Sequence, residues 1–470
     1  MILGESPGTP CPAPSLALPR MPTPASNARL AVLAAHVVGA GSDGCRLAPC
    51  PAASAALPNH PPLIAVVGGS VADITATAPA GVSLLAGGSV PGGVRLTPGG
   101  VGRNVAAAAA RLLTSTSPPG EPPGRRAAVS LISAVGDDAL GAALLGSLCA
   151  SGLDPAACAI AAVQGFDTPA VVTVLDGRGE VAASVADFEG GGGATSRPSA
   201  QTPPPSEGAL GAALGTRAGA AAALAAARVA HATVVALDGN LPGAALAAVA
   251  ACLPPRGPDL FEPVSVAKAG RAIAAGVRVG IATPNAAELR AMAAAARAVV
   301  GGGGSGGGGG WRRVATSHHP SLPPAIAPAI ATLAHDAEAV LAARWARGLV
   351  VTLGGHGVAF LTGEADTHTL PFGPGAPPPP PSLGPLHVCY VPAVPDVAVV
   401  SAVGAGDALA GGLLVGGVEG KGLAEALGLG AAAAAQVVTV NEAAPSLDVG
   451  RARREGQALA GRAVWSVCLD

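Results

Sequence analysis

Val399-Val400-Ser401-Ala402-Val403 runs into Gly404-Ala405-Gly406-Asp407 and then Ala408-Leu409-Ala410-Gly411-Gly412, a strand-like stretch, a small-residue turn and a helix start. Glycines in such a turn let backbone N–H groups converge on an anion, and the helix dipole adds favourable potential there. A phosphoryl group suits that cradle. Asp407 is a poor phosphate ligand by charge, so its place in the turn suggests another duty, accepting the proton of an attacking hydroxyl. An anion cradle with a carboxylate beside it is what phosphorylation of an alcohol requires. On this segment alone two other readings stay open. Gly404-Ala405-Gly406 followed by Ala410 fits a loose dinucleotide fingerprint, and an Asp at a helix start also serves as an N-cap. A Walker loop is absent, because Gly420-Lys421 is followed by Gly422 rather than Ser or Thr.

A second Gly-rich turn, Thr97-Pro98-Gly99-Gly100-Val101-Gly102-Arg103-Asn104-Val105-Ala106, opens a helix some 300 residues earlier and follows Gly68-Gly69-Ser70-Val71-Ala72-Asp73. With the 404–412 segment, these resemble the two signatures of the PfkB carbohydrate kinases, the ribokinase-like family. The resemblance continues through Ser133-Ala134-Val135-Gly136-Asp137-Asp138 to Gly141, Thr283-Pro284-Asn285 with Glu288, and Val351-Thr352-Leu353-Gly354 with Gly357, in family order over roughly residues 62 to 445. Val71-Ala72-Asp73-Ile74-Thr75, the Gly-Val-Gly-Arg-Asn-Val form of the first signature, and Phe261-Glu262-Pro263-Val264-Ser265-Val266-Ala267-Lys268 are most similar to the pseudouridine kinases within it. Asp238-Gly239-Asn240 is similar to that subgroup too. Ala402-Val403 departs from the wider family, which often has Thr there.

The resemblance implies an α/β fold, a ribokinase-like three-layer sandwich with a mainly parallel central sheet flanked by helices and a small β lid. It implies ATP and Mg²⁺ as cofactors, with a monovalent cation as a further candidate, and transfer of the γ-phosphoryl group to the 5′-hydroxyl of pseudouridine. Ribose, adenosine or fructose as substrate, or nucleotide binding without turnover, are the alternatives. Asp407 is then the base, and Gly404, Ala405 and Gly406 form the anion cradle. Asp73, Gly99, Gly100 and Asn104 bind the sugar. Asn285 and Glu288, three apart on one helical face, orient Mg²⁺ through waters, against a simple capping role. Thr352, Gly354 and Gly357 pass close to the nucleotide, against a tight hairpin. Asp137 and Asp138 read as first-turn caps, His356 as a turn residue, and Lys268 as either a phosphate partner or a solvated lysine. Glu262 and Asp238 are candidate pocket residues without an orientation. The lid, from 71 to 97 and 170 to 186, is a candidate surface for a homodimer.

Positioning these residues requires alternating strands and helices. Candidate strands are 63–68, 128–134, 170–175, 181–186, 232–237, 258–264, 278–282, 348–353, 357–362 and 396–400. Helices are expected at 103–113, 139–151, 242–252, 285–298, 335–346, 406–417 and 421–438. This alternation predicts parallel crossover units, a sheet covered on both faces, and ligands beyond the carboxyl ends of its strands.

Around that scaffold, residues 1–60 are rich in Pro and Ala without a sustained period and read as a leader outside a kinase domain of 61–470. Arg29-Leu30, five residues, then His36-Val37 resembles an N-terminal peroxisomal address, with Cys45 at a plausible processing point; otherwise a cytoplasmic location is expected. Segments near 190–207, 299–325 and 371–387 read as insertions, Gly-rich coil in the first two and polyproline in the third. The 470 residues include 68 Gly and 46 Pro, a quarter that punctuates structure, yet half the chain is hydrophobic, which excludes a wholly disordered protein. A net charge of −2 offers no basic face for a nucleic acid polymer or an anionic membrane. The eight cysteines form no CxxC pair and no metal-ligand spacing with His. With only two Lys and six Asn in the chain, those inside motifs, Lys268, Asn104 and Asn285, carry extra weight.

Overall fold

The computed structural model describes residues 45–47, 64–82, 89–114, 129–178, 180–188, 228–254, 257–301, 322–374, 376–440 and 445–468. Fifteen strands run along them. The first eight are β1 (Cys45–Leu47), β2 (Ile64–Val67), β3 (Val71–Thr77), β4 (Gly93–Gly99), β5 (Val129–Gly136), β6 (Ala159–Val163), β7 (Ala170–Leu175) and β8 (Val181–Asp187). Then come β9 (Val234–Asp238), β10 (Leu260–Glu262), β11 (Val279–Ala282), β12 (Ala346–Thr352), β13 (Val358–Thr362), β14 (Leu386–Val391) and β15 (Val464–Cys468). The α-helices are α1 (Val101–Thr114), α2 (Ala139–Gly146), α3 (Gly243–Ala251), α4 (Arg271–Ala274) and α5 (Ala286–Gly301). They continue with α6 (Ala327–Ala342), α7 (Ala405–Val418), α8 (Leu423–Val437) and α9 (Val449–Ala460).

The large sheet has the order β1-β6-β5-β2-β9-β10-β11-β12-β13-β14-β15. From β6 to β12 every pairing is parallel, and β12 to β15 form an antiparallel extension. Parallel strands must be covered on both faces, and the sequence supplies this with nearly continuous apolar runs such as Ile64-Ala65-Val66-Val67, buried throughout. Alternate residues feed opposite cores. Ala65 and Val67 join Leu246, Ile273, Leu289 and Leu341 of α3 to α6, whereas Ile64 and Val66 join Val105, Leu409, Leu427 and Leu459 of α1 and α7 to α9. The result is the expected three layers.

The four-stranded second sheet, β4-β3-β7-β8, is the lid. Strand side chains alternate between faces and directly paired residues share one, so the register sorts its residues. Ile74 lies opposite Leu96 and Val172, and Val172 opposite Val185, in one apolar row. One residue away, Asp73 lies opposite Thr97 and Val171 on the other face. The apolar side is open to solvent: Val94 is 77% exposed and Val185 70%.

Several expectations need correction. Residues 396–400 form no strand. Asp396 sits at φ 56°, a left-handed conformation that ends an extended run, and Val399 and Val400 are exposed. The strand of this region is β14, which begins at Leu386 inside the stretch read as a polyproline insertion. Phe372 and Leu386 of that stretch are core residues. The helix expected at 335–346 begins eight residues earlier, at Ala327. Part of the segment 1–60, expected to stand outside the fold, pairs as β1 with β6 at the sheet edge. The Arg29 to His36 motif and the 190–207 insertion lie outside the described residues, as do 302–321 of the poly-Gly segment. Among the described residues no helix is long and apolar enough to cross a membrane.

Candidate active site

The helix α7 is unusual for its Gly content, yet nearly every residue from Asp407 to Gly417 is buried. Helix propensity disfavours glycine by about 1 kcal/mol each, so packing must hold α7 together. It does so by close approach: a Cβ on Gly412 would lie 2.5 Å from the Gly430 Cα of α8. At its start Gly404 adopts φ 81°, which an L side chain would resist, and no side chain caps the first turn. A Cβ on Gly406 would meet nothing within 4 Å, so space is open beside this turn. The geometry fits an anionic phosphoryl group. Asp407, in the first turn, is buried and accepts a 2.8 Å hydrogen bond from Asn104 Nδ2. Burial pushes its carboxyl up to about 7; the Asn104 bond opposes this, and the charges of Asp238 and Asp73 reinforce it.

The facing wall of the site is built by β3, β4 and the start of α1. Gly100 has φ 96°, and a Cβ there would strike the Gly69 carbonyl at 2.4 Å, so the two Gly-rich turns meet backbone to backbone. Gly99 stands against Asp73, whose Oδ2 would lie 1.9 Å from an added Cβ. Burial raises the Asp73 carboxyl to about 6, partly offset by the Arg103 guanidinium. The structure thus brings Asp73, Gly99, Gly100 and Asn104 together with the Gly404–Asp407 turn, as the motifs implied.

Behind them lies an organiser that the sequence left unoriented. Asp238, at the carboxyl end of β9, accepts hydrogen bonds from the N–H groups of Gly69, Gly102 and Asn240 at 2.9 Å and from Asn240 Nδ2 at 3.1 Å. It ties both Gly-rich turns to the central sheet. Lys268, partly exposed, donates to Asn240 Oδ1 at 2.6 Å and lies 4.2 Å over the Phe188 ring at the end of the lid, which ties it to both Asp238's partner and the second sheet. Glu262, at the end of β10, accepts from Thr283 Oγ1, and burial together with the charges of Asp407 and Glu288 holds it well above the usual carboxylate range. Val264 just beyond has φ 70°, an outlier for a β-branched residue and a mark of a constrained site. The Asp-Gly-Asn tripeptide after a strand was the sequence signal for Asp238; nothing local signalled the acidity of Glu262.

Beyond the end of β11, Asn285 and Glu288 form a reciprocal cap of α5. Asn285 Oδ1 accepts from Ala287 N and Glu288 N, and Glu288 Oε2 accepts from Asn285 N at 2.9 Å. The capping reading of this pair is therefore correct, and it leaves a direct metal role to the second Glu288 oxygen at most. Among the described residues no cluster of three His, Cys, Asp or Glu could hold a metal ion. A Mg²⁺ held by phosphates and water requires no such cluster, and the second Glu288 oxygen is the carboxylate available to orient its waters. Thr352 bridges to Asn285, so β12 and α5 meet as expected. Gly354 and Gly355 border open space, whereas a Cβ on Gly357 would strike the Val391 carbonyl at 2.3 Å, which makes Gly357 a hairpin residue first. His356 offers its carbonyl to the Tyr390 hydroxyl, a turn role. Asp138 caps α2 by accepting from Gly141 N, as read from sequence.

Two segments of the chain, residues 62–181 and 385–449, match the model of the pfkB family carbohydrate kinases. No curated protein sequence matches significantly. Among solved structures, a carbohydrate kinase from Agrobacterium tumefaciens is 22% identical with a TM-score of 0.52, over 86% of this chain and 99% of that one. Arabidopsis thaliana ribokinase complexed with ribose and ATP is 19% identical with a TM-score of 0.51, over 85% and 99%. Escherichia coli phosphofructokinase-2 in complex with potassium is 16% identical with a TM-score of 0.52, over 86% and 99%. The fold is ribokinase-like. The two matched segments carry Asp73 to Asn104 and Gly404 to Asp407, the halves that meet in the cleft.

Proposed function

We propose that the chain, for which the two-segment family match and the shared fold support a PfkB-type alcohol phosphotransferase, phosphorylates the 5′-hydroxyl of pseudouridine. The observation that carries the reading is Asp407: a buried carboxylate at an uncapped helix N-terminus, bonded to Asn104 in the same cleft as Asp73. Asp73, Gly99, Gly100 and Asn104 hold the ribose hydroxyls, and a buried carboxylate left without them is costly, which selects for a sugar. ATP, when bound, supplies the transferable phosphoryl group, with Mg²⁺ met through waters oriented from Glu288. Thr352, Gly354 and Gly357 lie along the nucleotide. Asp407 accepts the hydroxyl proton as the oxygen–phosphorus bond forms, while the amides of Ala405, Gly406 and Asp407 meet the charge on the group in transit.

The pseudouridine assignment is supported by the residues from Val71 to Thr75, Gly99 to Val105 and Phe261 to Lys268. Ribose is the second reading, favoured by the likeness to a ribokinase. Purified protein tested on pseudouridine, uridine, adenosine, ribose and fructose with coupled ADP detection decides between them. Pseudouridine is expected to give the highest kcat/KM; a preference for ribose or adenosine would overturn the assignment, and ligand-induced thermal stabilisation without ADP would overturn turnover itself. The exposed apolar row of the lid supports a homodimer. A fluorescent fusion with and without residues 1–60 tests the peroxisomal address.

A further inference from the structure

One charged residue of the first Gly-rich turn has no part in the chemistry above. Arg103 is 4% exposed and follows Gly102 in the first turn of α1. Its NH1 donates to the Pro98 carbonyl at 2.9 Å and to Asn104 Oδ1 at 3.4 Å, and its NH2 donates to the Ser151 hydroxyl. Asn104 then donates through Nδ2 to Asp407 Oδ2. We propose that Arg103 is a positioning residue that fixes which end of the Asn104 amide faces Asp407, so that the base always meets an N–H donor. The inference rests on the kinase reading only in treating Asp407 as the base.

An Asn amide has a donor end and an acceptor end of almost the same shape, exchanged by a half-turn about its last bond. An ionised Asp407 selects the donor end. A protonated Asp407 has an O–H to give and accepts the carbonyl end equally well. Because Asp407 titrates near neutrality, it does not by itself choose the orientation. Arg103 chooses. A guanidinium only donates, and although burial and the nearby Arg111 lower Arg103 to about 10, it keeps its proton at neutral pH. By occupying Oδ1 it leaves Nδ2 for Asp407 in either protonation state. Pro98 on the lid strand β4 and Ser151 beyond α2 hold the guanidinium from the other sides, so the fork has little freedom to leave.

The Asn104 bond matters because the other groups facing Asp407 work against its ionisation. Asp238 and Asp73 push the carboxyl up by their charges, and Glu262 lies close enough to interact with it. The Asn104 amide is the neighbour that pulls it down. Freed from Arg103, the amide would present its carbonyl whenever Asp407 is protonated, and the proton would be harder to remove.

Arg103→Met, which fills the space without a donor, and Arg103→Lys, which keeps one, test this against wild type. One readout is the acidic limb of kcat/KM against pH with MgATP and the alcohol that wild type accepts best. The other needs no turnover: the ¹³C titration of the Asp407 carboxyl, assigned by comparison with Asp407→Asn. For Arg103→Met both midpoints should rise by about half a unit to one unit, the worth of one hydrogen bond. Turnover should then be several-fold lower at pH 6 and within roughly threefold of wild type at pH 9. Arg103→Lys should show a smaller rise. A folded Arg103→Met with both midpoints unmoved, or with an equal loss at every pH, would overturn the proposal in favour of simple packing. Should Arg103→Met not fold, Arg103→Lys decides: one ammonium cannot span Pro98, Ser151 and Asn104, so an upward shift supports the role and an unmoved midpoint overturns it. If wild type phosphorylates no alcohol in the panel, the kinase reading fails, while the carboxyl titration still decides the role of Arg103.

Discussion

At the scale of single residues, Asp407 makes two opposed demands on the fold. In its proposed role as a base it must be ionised, and its burial beside Asp238 and Asp73 resists that. Asp407→Asn should therefore lower kcat by about 10²- to 10⁴-fold, measured by coupled ADP release, while the alcohol that wild type accepts best still raises the melting temperature. The same variant separates stability from activity. With its carboxyl at about 7 in the folded state and 3.8 without the fold, wild type keeps the proton on folding between those values while the unfolded chain releases it. Stability is therefore full below 3.8 and falls as pH rises through about 7. Asp407→Asn should melt higher than wild type at pH 8 and show little difference at pH 4 by differential scanning fluorimetry. The acidic limb of wild-type kcat/KM should sit near 7 for the same reason. Asp407, Asp73 and Asn104 could be read from sequence because each stands in a motif whose spacing is local. Asp238 and Glu262 could not be oriented, since their partners Gly69, Gly102 and Thr283 lie 169, 136 and 21 residues away.

Elements rather than residues set the shape of the cleft, and two of them offer tests. The α7–α8 contact through Gly412 and Gly430 leaves no room for a methyl group. Gly412→Ala should cost about 1–3 kcal/mol of stability in urea unfolding despite its better helix propensity, because overpacking outweighs it. The lid carries an apolar row of Leu96, Ile74, Val172 and Val185 on the face away from Asp73. If the lid row forms the proposed homodimer contact, Val185→Asp moves the protein toward monomer in light scattering and leaves its melting temperature little changed, as Val185 is 70% exposed in the single chain. The parallel strands were legible as apolar runs bounded by glycine. Strand 396–400 was misread because Val397-Ala398-Val399-Val400 has the same composition as a buried strand, and composition alone carries no information about the turn at Asp396 that sets it aside.

The whole molecule shows how far an inserted stretch can be part of the core. Residues 371–387 resemble a polyproline insertion in sequence, yet Phe372 is 4% exposed and packs against Gly417 at the far end of α7 and Gly280 of β11. Phe372→Ala should cost about 3–5 kcal/mol in urea unfolding while the folded fraction turns over almost normally, because the reacting end of α7 is three turns away. Arg344 donates to the carbonyls of Pro380 and Pro381, so even the proline tract is moored. The three-layer plan was visible from the alternation of strand and helix; the antiparallel end of the sheet was not, since β14 hides in Pro-rich sequence and β15 is a short run at the end of the chain.

In the lid, Asp73 and Ile74 owe their opposite destinations to nothing but parity along β3. Deleting a single residue between Val71 and Asp73 would turn the acid outward and swing an oily side chain into the cleft, a larger injury than adding dozens of residues between strands. Added length is therefore best tolerated in connections, where counting odd or even makes no difference.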